Sequence, residues 1–110
     1  MGAEKKAIRK AFRDAVFKRD GFRCAVCNMK SSKDMAEKEL DAHHVTDRNL
    51  LPNGGYVKEN GISLCSKCHE KAEVFHSTGT PVEGYSVEDL YKKINSNYEK
   101  AVEASKKLDS

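Results

Sequence analysis

The sequence predicts a small α+β domain in which a strand, loop, strand and helix form a core stapled by four cysteines, with a helix on either side. Three observations predict it. The cysteines fall as two C-x-x-C pairs, Cys24 with Cys27 and Cys65 with Cys68, separated by 37 residues. Between the pairs, residues 40–45 and 61–64 read as short strands around a loop that holds Pro52-Asn53-Gly54-Gly55. Outside the pairs, apolar residues recur at helical spacing over residues 3–18 and again over 86–108.

At 110 residues the chain has room for one domain with a marginal core, and with 34% charged and 7% aromatic residues that core would be thin. A staple is therefore expected. Each C-x-x-C turn can offer two thiolates, and two such turns complete a tetrahedral shell, so Cys24, Cys27, Cys65 and Cys68 are read as a structural Zn2+ site. Two disulfides in a secreted protein would be the other use of four cysteines. No apolar leader precedes residue 24, and no apolar run approaches about 18 residues. The expectation is a cytoplasmic or nuclear protein, neither secreted nor membrane-spanning, in which thiolates persist.

Taken in order, residues 1–20 form a basic helix with Ala7, Ile8, Ala11, Phe12, Ala15 and Val16 on one face and Lys6, Arg9, Lys10 and Arg13 on another. Asp20-Gly21 ends it. Residues 1–33 hold ten Lys or Arg against three acids, although the whole chain is only +3. Such an end could track phosphates, but on charge alone a solvated helix face is the simpler reading. Residues 28–39 are polar and aperiodic, a loop with a short helical turn near 34–37. Residues 46–60 are a long irregular loop, of a length usually functional or disordered. The second cysteine pair launches a helix over 66–76, completing a stapled core of residues 21–77. After a breaker-rich linker, Ser86 can N-cap a last helix, with Asp89 three residues on. Its stripe of Val87, Leu90, Tyr91, Ile94, Tyr98, Ala101, Val102 and Leu108 is most simply core, packed on the first helix or on the stapled centre; a dimer surface is the alternative.

The chemistry is carried by His43-His44, Asn60 and His69. Asn60 follows His44 by 16 residues and precedes His69 by 9. Hydrolysis of a phosphodiester needs a nucleophilic water, a cation for developing charge, and a fixed geometry. His44 is the candidate general base, because imidazole titrates near neutrality. His43 and His69 are candidate ligands of a catalytic metal, since neutral imidazole suits several divalent cations and leaves positions open. Asn60 is the candidate brace, its amide able to donate and accept along the loop backbone. Neighbours on a strand face opposite ways, so His43 and His44 share a site only where the strand ends or twists.

These residues resemble those of the HNH endonucleases, the ββα-metal or His-Me finger proteins that include colicin, phage and intron-encoded nucleases. The match runs over about residues 16–76, from the Arg19-Asp20-Gly21-Phe22 lead-in through both cysteine pairs, His43-His44, Gly54-Gly55, Asn60 and His69. The resemblance implies a DNA endonuclease in which His43 binds the metal and His44 acts on water, leaving a 5′-phosphate and a 3′-hydroxyl. Mg2+, Mn2+, Ni2+ or Zn2+ could serve as that metal. Colicin-type members carry a second helical histidine four residues after the first, where this chain has Glu73. Glu73 can complete the set, and His76, a further turn away, is the weaker candidate. Asp41 is read either as a partner behind a ligand or as a solvated strand carboxylate. Arg13, Lys18, Arg19, Arg23 and Arg48 are candidate DNA-phosphate contacts. A chain this small would need a protein partner or a homodimer for long-sequence recognition. A noncatalytic zinc ribbon that binds nucleic acid or protein is the alternative, but it has no use for His44 or Asn60.

Overall fold

Two five-residue strands form the scaffold. The computed structural model describes residues 2–108, with side chains from residue 5 onward. Strand β1 (Leu40–His44) pairs antiparallel with β2 (Gly61–Cys65), in a register that sets Leu40 opposite Cys65 and His44 opposite Gly61. All five residues of β2 are buried, because it is covered on both faces. Helix α1 (Gly2–Arg19) lies on one face and α3 (Ser66–Thr78) on the other. This sheet, loop and helix make the ββα-metal finger of an α+β fold, flanked by helices at both ends.

Only the last two turns of α1 pack. Phe12, Val16 and Phe17 are buried, whereas Ala7, Ile8 and Ala11, expected on the same apolar face, are exposed. The helix meets the sheet at Gly61, where a Cβ would lie 2.7 Å from the Phe12 ring and collide with Val16. Hydrogen is the largest group that position accepts, and upstream of Phe12 the helix overhangs the loop instead. Its C-terminus closes with backbone bonds from Gly21 to Lys18 and from Phe22 to Phe17, a Schellman motif with Gly21 at φ 69°.

A single turn, α2 (Ala36–Glu39), feeds β1. The loop of residues 46–60 is ordered into three 3₁₀ turns, Arg48–Leu50, Pro52–Gly55 and Lys58–Asn60.

The one C-terminal helix expected over residues 86–108 is two helices, α4 (Val87–Lys93) and α5 (Tyr98–Lys106). Ser86 caps the first by accepting from the Asp89 amide at 3.1 Å. The break falls at Asn95-Ser96-Asn97, residues whose polar side chains compete with helix. Asn95 takes φ 54°, Ser96 donates to the Glu59 carbonyl at 2.7 Å, and Asn97 caps α5 through the Lys100 amide at 2.8 Å. The apolar stripe survives the break because Leu90, Tyr91, Ile94 and Ala101 are buried from two separate helices. These four residues are core, whereas Tyr98 of the same stripe is exposed, and α5 packs on the Pro52–Gly55 turn. Among the described residues no helix is long and apolar enough to cross a membrane.

Candidate functional site

The first cysteine turn is shaped by its own backbone. The Asn28 amide donates to the Cys24 carbonyl at 3.0 Å, with Asn28 at φ 65°, and the Cys24 amide donates to Met29 at 2.9 Å. The Ala25 amide ties this turn to β2 through the Ser63 carbonyl at 2.8 Å. The second pair straddles the β2–α3 junction, Cys65 ending the strand and capping the helix. All four sulfurs lie within 4.8 Å of one another, and the Cys27 and Cys65 sulfurs are 3.6 Å apart. That is far from an S–S bond of about 2.05 Å and close to the edge of about 3.8 Å of a tetrahedron with Zn–S bonds of about 2.3 Å. The four thiols are free cysteines, and as a set they fit zinc. Burial alone would raise the Cys24 thiol, yet amide hydrogens of Cys27, Cys65 and Val26 bring it down to about 7. Cys68 is pushed up to about 12, chiefly by burial, against the Tyr85 hydroxyl that donates to its sulfur at 3.3 Å.

His43 and His44 point to opposite faces of β1, as alternation requires. His43 turns toward α3, where its ring centroid lies 5.3 Å from that of His69, one turn before Glu73 on the same helix face. Glu73 Oε1 lies 3.4 Å from His43 Nδ1 and 3.1 Å from His69 Nε2. One ligand atom from each of these three residues lies within 4.8 Å of the other two, a mixed imidazole and carboxylate set that fits a divalent cation. His43 is only 4% exposed, and its Nε2 is buried without a hydrogen-bond partner. Burial, then the neighbouring imidazoles of His69, His76 and His44, hold its pKa down to about 3, so its lone pair is free at neutral pH. Asp41 Oδ2 stands 3.2 Å from His69 Nδ1, the arrangement by which a carboxylate orients an imidazole from behind. His76 stands outside the trio, its Nδ1 3.8 Å from Asp47.

His44 turns toward α1. Phe12 stacks on its ring at 4.5 Å and 23°, and Tyr56 meets it edge-on at 4.8 Å. Its Nε2 is buried and unpartnered. Burial, and then the Arg48 guanidinium, lower its pKa to about 4 against an opposing pull from Asp47. The imidazole is therefore neutral at pH 7 and able to accept a proton. The two histidines nevertheless line one open cleft of about 250 Å³, together with Arg48, His69 and Glu73. This is possible because β1 pairs on one side only and His44 is its last residue, so the cleft reaches around a strand end.

Asn60 is fully buried and uses its whole amide. Oδ1 accepts from the Thr46 amide at 2.8 Å and from the Tyr91 hydroxyl at 2.9 Å; Nδ2 donates to the carbonyls of Thr46 at 3.0 Å and Gly55 at 3.3 Å. A Cβ on Gly55 would lie 2.9 Å from that Nδ2 and 2.7 Å from Leu51, so the loop closes on Asn60 only with glycine there. The brace fixes Thr46, two residues beyond His44.

The candidate phosphate contacts divide. Arg48 lines the cleft beside His44. Arg13 borders a groove that also reaches His44, while its guanidinium pairs with Glu37 at 2.9 Å. Lys18 lines a separate depression with Phe17 and Lys33, and Arg23 is an exposed residue of the first cysteine turn, bridged to Lys30. Arg19 is spent internally: it donates to the Lys58 carbonyl at 2.5 Å and the Gly61 carbonyl at 2.7 Å and pairs with Asp20 at 2.8 Å. Four of its five N–H donors are thus used inside the protein, where they tie α1 to β2.

The sequence reading did not single out Tyr56, Tyr85 or Tyr91 for the site, nor Arg9 from the basic face of α1. Arg48 donates to the Tyr56 hydroxyl at 3.0 Å. Burial raises that hydroxyl's pKa, but the guanidiniums of Arg48 and Arg9 together lower it. Among the described residues neither arginine forms an ion pair with a carboxylate.

No curated protein and no solved structure matches the chain. A family model does: residues 24–74 match the HNH endonuclease model, a span running from the first cysteine into α3 and holding both cysteine pairs, both paired histidines, Asn60, His69 and Glu73. Over these residues, which hold the four-cysteine cluster, the chain is similar to the HNH endonucleases.

Proposed function

We propose that the protein is a metal-dependent endonuclease hydrolysing DNA phosphodiester bonds, with residues 1–20 and the C-terminal helices working with the finger as one nuclease domain. The observation that carries this reading is the convergence of His43, His69 and Glu73 within 4.8 Å, in a cleft that His44 also lines. A ribbon that only bound nucleic acid would gain nothing from this cluster.

His43, His69 and Glu73 would hold the catalytic cation, with Asp41 orienting His69. A divalent ion bound there supplies Lewis-acid stabilisation of the charge that develops on phosphoryl and leaving oxygens. His44 takes the proton from the attacking water. With Nε2 buried, Nδ1 is the atom left for that proton, and the Phe12 and Tyr56 rings keep the imidazole from turning away. Asn60 sets the distance between the base and the ligands by fixing the loop that follows His44. Arg48 and Arg9 supply positive charge beside the base, unpaired with carboxylate among the described residues and suited to a polyanion. Such contacts position a backbone without reading bases.

The test is cleavage of supercoiled plasmid by protein stripped of loosely held metal, with Mg2+, Mn2+, Ni2+ and Zn2+ added separately, for wild type and His44→Ala. Cleavage by wild type, with at least a hundredfold loss in the variant at unchanged zinc content, is the expected result. Absence of cleavage with every metal, while the protein keeps its zinc and retards DNA in a gel, would overturn the hydrolytic reading.

A further inference from the structure

Helix α4 lies outside the family-matched residues, yet it sends one side chain into the centre of the site's support. Tyr91 is 3% exposed, and its hydroxyl donates to Asn60 Oδ1 at 2.9 Å while lying 2.6 Å from the Thr46 hydroxyl. Thr46 and Asn60 are themselves 6% and 0% exposed. The three groups satisfy one another: Thr46 Oγ1 donates to Tyr91 Oη, Tyr91 donates to Asn60 Oδ1, and that oxygen also accepts the Thr46 amide hydrogen. The phenol thus closes a ring of hydrogen bonds around the backbone two residues beyond His44. Buried networks of this kind are stiff when complete and costly when one member is missing.

We infer that Tyr91 is a positioning residue, acting through Asn60 and Thr46 to hold the His44 end of β1 in the geometry that hydrolysis needs. This rests on the hydrolytic reading above. The C-terminal helices have two further holds on the same loop, the Ser96 hydroxyl on the Glu59 carbonyl at 2.7 Å and the Asn53 amide on the Ser105 carbonyl at 2.9 Å. Tyr91 differs from these in reaching Asn60 itself. Within residues 24–74 Asn60 bonds to the backbone of Thr46 and Gly55, and Tyr91, 31 positions later in the chain, adds a side-chain partner. The ring also fills core beside Leu90 and Ile94, so the hydroxyl alone must be removed to separate positioning from packing.

Tyr91→Phe does that. Three measurements test the inference on zinc-loaded full-length protein: kcat and KM for plasmid cleavage, the same constants in Asn60→Ala and in the double variant, and amide hydrogen exchange at Thr46. The expected result is a kcat reduced about tenfold in Tyr91→Phe, equivalent to about 1.4 kcal/mol, with KM within twofold of wild type. Adding Tyr91→Phe to Asn60→Ala should lower kcat by less than twofold further, because the two act through one contact. Exchange at Thr46 should accelerate about tenfold. A kcat for Tyr91→Phe equal to wild type, or fully additive losses in the double variant, overturns the inference. The exchange measurement stands apart from activity. If wild type cleaves nothing, the hydrolytic reading fails and this role falls with it; if wild type cleaves but Thr46 exchange is unmoved in Tyr91→Phe, the inference alone fails.

Discussion

Replacing Asn60 by aspartate keeps the side-chain shape and exchanges Nδ2, a donor, for an oxygen that can only accept when ionised. In the native loop that atom faces the carbonyl oxygens of Thr46 and Gly55 at 3.0 and 3.3 Å, in a residue with no exposed surface. Two hydrogen bonds are lost, and a carboxylate would be buried against two carbonyl dipoles. The group answers by staying protonated, so its folded pKa rises above the ordinary value of about 3.9. A carboxyl with a raised folded pKa carries no penalty below the unfolded pKa, and the penalty grows as pH rises until the folded pKa is reached. Each pH unit above about 4 then costs about 1.4 kcal/mol, to which the one hydrogen bond that a protonated oxygen does not replace adds about 1 kcal/mol. The expected destabilisation is about 3.5 kcal/mol at pH 5.8 and about 5 kcal/mol at pH 7. Urea unfolding followed by circular dichroism, at saturating zinc and in steps between those pH values, measures it. The difference from wild type cancels any titration the two proteins share. A gap below about 1.5 kcal/mol, or one that does not widen with pH, would refute the reasoning, because Asn60 would not then be the closed donor–acceptor brace described above.

The two arginines that sequence grouped together should separate in experiment. Arg19→Ala is expected to lower unfolding free energy by about 1 to 3 kcal/mol, since it strips the carbonyls of exposed Lys58 and buried Gly61 of a charged donor, with DNA affinity per folded molecule unchanged. Arg48→Ala should leave stability within about 0.5 kcal/mol, weaken DNA binding, and reduce the slope of log affinity against log salt by about 1; equal effects of the two variants on salt slope would count against the division. Stripping the cysteine cluster with a strong chelator should abolish the cooperative thermal transition, with recovery at one zinc per chain, because binding energy of about 10 to 16 kcal/mol is of the order of a small domain's entire stability. A chelated protein that still melts cooperatively at the native temperature would show the cysteines to be dispensable.

The local and the spaced were legible in the sequence. Two C-x-x-C turns carry their own backbone geometry, so their pairing into one cluster followed from their presence in a short chain. The strands of residues 40–44 and 61–65 and helix α3 were placed within a residue or two, although β2, buried along its whole length, carries no two-residue alternation. His43, His69 and Glu73 converge because strand alternation and the four-residue helix repeat already fix which way each points.

What packing decided could not be read from periodicity. The apolar stripe over residues 86–108 continues in phase across Asn95 to Asn97, so its pattern fits one helix as well as the two that form; the break is set by the hydrogen bonds of Ser96 and Asn97 together with the docking of α5 on the Pro52–Gly55 turn. The basic face of α1 gave no means of telling Arg19, turned inward onto β2, from Arg9, which borders the neighbouring groove that reaches His44. Tyr56 and Tyr91 looked like loop and stripe residues. Their places on His44 and on Asn60 depend on chain segments 12 and 31 residues distant meeting at one point. Such meetings have no period, since they are set by side-chain volume and hydrogen-bond satisfaction in the folded core. The sequence thus determined which candidate ligands and base the chain carries, and the tertiary structure decided which side chains hold them in place.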